Sequence, residues 1–69
     1  MLLHDAIETV LRDAGGPMHA DDIAVEINRR QLYARRDGKL LRGNLIRTRV
    51  AMREYRAGFV VRDGVVSLA

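Results

Sequence analysis

The sequence predicts an α+β chain, mainly helical, with its helices first and a small antiparallel sheet last. Three observations carry that expectation. Two stretches repeat apolar residues at the 3, 4, 7 spacing of one helix face, and a Gly-Gly-Pro run separates them. An Asp-Gly pair near the end lies between two short alternating apolar segments, the signature of a two-residue hairpin. A chain of 69 residues without cysteine has room for one modest core and no disulfide staple.

The first helix is expected over residues 3–14. Leu3, Ile7, Val10, Leu11 and Ala14 line one face, while His4, Asp5, Glu8, Thr9, Arg12 and Asp13 face water. Gly15-Gly16-Pro17 ends it, because glycine adopts the left-handed C-terminal conformation and proline blocks resumption. Pro17-Met18-His19 is long enough only for a short extended segment. Ala20, Ile23, Ala24 and Ile27 mark a second helix over 20–30, with His19 beside its start as a cap neighbour or surface residue. Asp21 and Asp22 in its first turn and Arg29 and Arg30 in its last suit the helix dipole. Gln31-Leu32-Tyr33 then leaves the helix, Leu32 returning to the core, and residues 34–41 read as a basic loop with a turn at Asp37-Gly38.

A third helix is expected from about Gly43 to Tyr55, with Ile46 and Val50 facing inward. Leu45 and Met52 lie about 100° away around the wheel, and Arg49 and Arg53 project between the two pairs. Those arginines either run their stems along the core edge or meet a carboxylate of the acidic half. Around Asp63-Gly64 a two-residue turn opposes Arg62 to Val65, Val61 to Val66, Val60 to Ser67 and Phe59 to Leu68. Alternation gathers Phe59, Val61, Val66 and Leu68 on a wholly apolar face, expected to lie on the core.

The order of helix, short strand, helix, loop, helix and two-stranded hairpin is that of a winged helix-turn-helix, here a single domain over residues 1–69. In such folds the third helix enters the DNA major groove and the hairpin reaches the adjacent backbone or minor groove. The charges agree with a polyanionic partner. Residues 1–28 carry six carboxylates against Arg12 alone, a net of −5, and residues 29–69 carry eleven cations against three carboxylates, a net of +8. Eleven of the twelve cations are arginine, the side chain suited to bidentate phosphate and guanine contacts.

On the outward side of the third helix the same spacing selects Asn44, Arg47, Thr48 and Ala51 as base-reading candidates. Arg35, Arg36 and Lys39 on the loop, Arg42 before the helix and Arg62 beside the hairpin turn are candidates for phosphate. Each has a plainer reading. Asn44 suits a helix cap as well as an adenine, and Arg35-Arg36 suits a solubilising loop or a protein contact. Arg49 and Arg53 read as structural.

Catalysis finds little support. His4 and His19 have no shared metal spacing, Ser67 has no neighbouring base, and Asp21 and Asp22 diverge on a helix. Gly15-Gly16-Pro17 lacks the spacing and lysine of a phosphate loop. The expectation is a non-enzyme without cofactor or metal. No apolar run is long enough to span a membrane and Met1-Leu2-Leu3 meets polar residues too soon for a signal peptide, so a cytoplasmic location is expected.

Residues 4–33 resemble the HARE-type helix-turn-helix family. Its pattern is an apolar helix, Ala-Gly-x-Pro-apolar-His, a helix bearing Glu/Asp-Ile-Ala, and a Leu-Tyr or Leu-Trp exit. Ala14, Gly15, Pro17, Met18, His19, Ile23, Ala24 and Leu32-Tyr33 match as they stand. The segment from Phe59 to Leu68 resembles the family's wing. The resemblance implies a winged helix found with restriction endonucleases, chromatin proteins and the RNA polymerase delta subunit, with double-stranded DNA as the usual partner. Transcription regulation and DNA restriction or modification are the roles it implies. The delta-like relatives keep a second reading open, a protein-interaction adaptor that meets RNA polymerase or an associated nuclease. The acidic first half and Leu40-Leu41, as an exposed apolar pair, support it. A homodimer on paired half-sites is left open by the sequence.

Overall fold

The computed structural model describes residues 1–69. Three helices lead into a three-stranded antiparallel sheet: α1 (Leu3–Ala14), β1 (Met18–His19), α2 (Ala20–Arg30), α3 (Gly43–Ala51), β2 (Phe59–Arg62) and β3 (Val65–Leu68). The sheet order is β1-β3-β2, so the last strand in sequence is central.

The stop signals act as the sequence predicts. Gly15 takes φ 76° and returns its amide to the carbonyls of Leu11 and Arg12. α2 begins at His19, whose Nδ1 accepts the amide of Asp21 at 3.1 Å. Its place is therefore the cap itself. The turn of the hairpin puts both Asp63 (φ 50°) and Gly64 (φ 80°) in the left-handed region, as a type I′ turn requires. Register follows: Phe59 opposes Leu68, Val60 Ser67, Val61 Val66 and Arg62 Val65. β1 then adds Met18 opposite Val66 and His19 opposite Val65.

One apolar cluster of 13 residues joins the elements, with Ile7, Leu11, Ile23, Ile27, Ile46, Val50 and Val66 almost fully enclosed. Each such side chain contributes about 1.5–3 kcal/mol relative to exposure. Met18, Leu32, Tyr33, Leu45 and Phe59 pack against its margin.

Three expectations are corrected here. α3 stops at Ala51 rather than Tyr55: Met52 is extended (ψ 142°), and its carbonyl accepts the amides of Tyr55 and Arg56 as the chain turns into a short 3₁₀ segment, Arg56–Gly58. The cause is distant in sequence, because Tyr55 folds back to stack on His4 of α1 with ring centres 4.1 Å apart. The apolar face of the hairpin is only half covered. Val66 is buried and Phe59 partly so, but Val61 is 43% and Leu68 37% exposed. β3 is central beneath α1, whereas β2 is an edge strand that meets chiefly α3 and the 3₁₀ segment. Leu40 and Leu41 are not an exposed pair: Leu40 is 72% exposed, but Leu41 is 4% exposed and belongs to the core.

Candidate nucleic-acid interface

α3 turns Ile46 and Val50 inward, and the opposite side of the same helix is left to solvent. Asn44, Arg47, Thr48 and Ala51 are all exposed there. Arg42, not Asn44, is the N-cap residue, and no side chain caps this helix. Asn44 is therefore not held by a capping bond. Thr48 Oγ1 donates to the Asn44 carbonyl at 2.9 Å, which ties the hydroxyl to the helix backbone.

The loop leading to α3 is braced from α2. Asn28 Nδ2 donates to the Leu41 carbonyl at 2.9 Å, and the Leu41 amide donates to Asn28 Oδ1 at 3.0 Å. One side-chain amide thus acts as a strand-like partner for residue 41. This pins the residue just before the cap of α3. Nothing in the local sequence pattern marks Asn28 for that task.

Within the loop, Gly38 (φ 74°) closes a turn by bonding its amide to the Arg35 carbonyl. Arg35 is drawn into the turn: it pairs with Asp37 at 2.7 Å and reaches the Leu40 carbonyl at 3.5 Å. Arg36 and Lys39 stay outside that pairing and have no carboxylate partner. Arg42 and Arg62 are exposed and likewise unpaired.

Internal pairing sorts the charges. Arg12 pairs with Glu8, Arg29 with Glu26, Arg30 with both Asp13 and Glu26, and Arg35 with Asp37. The hydrogen bond from Arg29, helped by Arg30 against some desolvation, holds Glu26 down to a pKa of about 2. The same bonds raise both arginines, Arg30 mainly through Asp13. The eight cations left without a carboxylate are Arg36, Lys39, Arg42, Arg47, Arg49, Arg53, Arg56 and Arg62. All lie on the loop, α3, the following turn or the wing. Neither alternative offered for Arg49 and Arg53 includes what Arg49 does, which is to place its guanidinium 5.7 Å from the centre of the Tyr55 ring. Arg53 is exposed; Arg56, which sequence reasoning passed over, is too.

The largest concavity, 490 Å³, lies elsewhere, between α1 and the wing, with His4, Glu8, Glu54, Tyr55, Phe59 and Leu68 in its wall. It contains none of the predicted contact residues. No group of three His, Asp or Glu side chains lies close enough to hold a metal ion, and no helix is long and apolar enough to cross a membrane.

Comparison with known families matches residues 1–68 to the HARE-HTH model, whose description is of an HTH domain shared by ASXL and restriction endonucleases among others. The chain belongs to the HARE-HTH family. The match covers essentially the whole fold from α1 through the wing, and the description is of a helix-turn-helix domain rather than a catalytic one. No curated protein and no solved structure matches this HARE-HTH chain.

Proposed function

We propose that this HARE-HTH protein is a non-catalytic module that binds double-stranded DNA, with α3 in the major groove and the wing on the backbone. The observation that carries the reading is the distribution of unneutralised cations: all eight fall between residues 36 and 62, around α3. Family membership supports it. Asn44 and Arg47 offer bidentate donors for adenine and guanine edges, and Thr48 and Ala51 offer methyl groups for thymine. Arg36, Lys39, Arg42 and Arg62 take phosphates, and Arg35 does so only in competition with Asp37. The role we infer is targeting, in transcription regulation or DNA restriction and modification, within a cytoplasmic or nucleoid setting.

Titration of labelled duplexes at several salt concentrations, with single strands and RNA as competitors, tests the reading. Neutralising about four to six phosphates gives a log–log slope of roughly −3 to −6. A flat response would overturn it. Arg47→Ala is expected to relax preference at one base pair by about 1–3 kcal/mol without moving weak binding to unrelated duplexes.

A second reading, an adaptor for a protein such as RNA polymerase or a nuclease, draws on Leu40, an exposed apolar side chain between Lys39 and buried Leu41. Stoichiometric protein capture that Leu40→Ser abolishes, without duplex retention, favours it.

A further inference from the structure

We propose that His19 is a positioning residue for the wing, setting through the Asp63-Gly64 turn where Arg62 is presented beside α3. The inference rests on the DNA-binding reading for its consequence, but not for its geometry. His19 Nδ1 accepts the Asp21 amide at 3.1 Å, so that nitrogen carries no proton and the ring orientation is set by the cap of α2. The other edge of the ring reaches the wing. A Cβ on residue 64 would stand only 2.9 Å from His19 Nε2, so the turn is seated directly against the imidazole. Gly64 is thus required twice, by φ 80° and by this approach.

The backbone continues the join. The amide of Ala20, the next residue, donates to the Gly64 carbonyl at 2.9 Å, and His19 itself opposes Val65. Val65 in turn opposes Arg62 across the hairpin. From the start of α2 to the arginine there are therefore two steps, and the ring is the first. Asparagine, serine or aspartate would cap α2 as well or better. None is long enough to cap the helix and fill the space to Gly64 together, which gives a reason for histidine here.

His19→Asn separates the two tasks, since asparagine keeps the capping acceptor and removes the ring. In the free protein we expect α2 to stay folded by circular dichroism while exchange of the Ala20 amide accelerates at least about tenfold, as its bond to Gly64 opens more often. On duplex DNA the salt slope falls by about 0.9, the value of one phosphate, matching Arg62→Ala, and Arg62→Ala adds nothing in the His19→Asn background. Unchanged Ala20 exchange overturns the positioning role. Equal effects of Arg62→Ala in both backgrounds overturn its link to the interface. Absence of duplex binding by the unaltered protein removes the DNA reading instead, leaving the exchange result to decide the geometry. Gly64→Asn approaches from the other side: asparagine tolerates the left-handed turn, and its Cβ meets the ring. Its loss of melting temperature must be smaller in a His19→Ser background; an equal loss in both also overturns the proposal.

Discussion

Asn28 uses both ends of its amide on one residue, and this makes it more important to the candidate interface than any exposed arginine of α2. Its two bonds to Leu41 hold the chain where the loop ends and α3 begins. Asn28→Ala leaves a part-buried carbonyl and amide without partners, at a cost of about 1–3 kcal/mol. For a chain of this size that lowers the melting temperature by roughly 4–20 °C, at about 4–8 °C per kcal/mol. Asn28→Asp keeps the acceptor but loses the donor, so its melt is expected between the two; a melt equal to the unaltered protein's would refute the bracing role. Glu26 gives a second check at this scale. Its pKa of about 2 lies below the usual 4.5, so its contribution to stability is complete above pH 4.5 and is lost as pH falls towards 2. Carboxylate titration by NMR is expected to place the Glu26 midpoint near 2, and Glu26→Gln to flatten stability across that window.

At the scale of elements, the approach of α2 to α3 decides what the chain tolerates. A Cβ on Gly43 would collide with the Asp21 carboxylate and stand 3.0 Å from the Asp21 backbone nitrogen. The carboxylate can swing away, but the backbone of α2 cannot. Gly43→Ala is therefore expected to destabilise by about 1–3 kcal/mol despite alanine's better helix propensity, as read from denaturant melts. A stabilised variant would show that the two helices are free to separate.

The same scale explains what the sequence made legible. α1 and α2 were readable because periodicity and stop signals are local: Gly15 and Pro17 close one helix, and Asp21 and Asp22 open the next. The wing register was readable because Asp63-Gly64 fixes it alone. The end of α3 was not, since Met52, Arg53 and Glu54 suit a helix and only the stack of Tyr55 on His4 turns the chain away. Cover over the wing was not either, because the place of β1 beside β3 leaves no mark in either strand's alternation. For the candidate site, the exposed face of α3 followed from the inward pair Ile46 and Val50. The braces supplied by Asn28, His19 and Asp37 depend on contacts between separate segments or on a turn's closure.

For the whole molecule, a count of formal charge treats every arginine alike, whereas the fold does not. Four arginines are neutralised by carboxylates, two of them, Arg29 and Arg30, linking the formally basic half to acids of the first. What remains is −3 on Asp5, Asp21 and Asp22 against +6 between residues 36 and 63, where eight cations oppose Glu54 and Asp63. A phosphate approaching the paired group must displace an ion pair already made, so counterion release is gained only at the free cations. Arg36→Ala is accordingly expected to reduce the salt slope of duplex binding by about 0.9 and to weaken all sequences alike. Arg29→Ala removes the same formal charge and is expected to leave the slope unchanged, because Glu26 retains Arg30 and the net field around α3 is untouched. Equal losses for the two variants would mean that overall charge, and not its placement on the fold, governs the encounter with DNA.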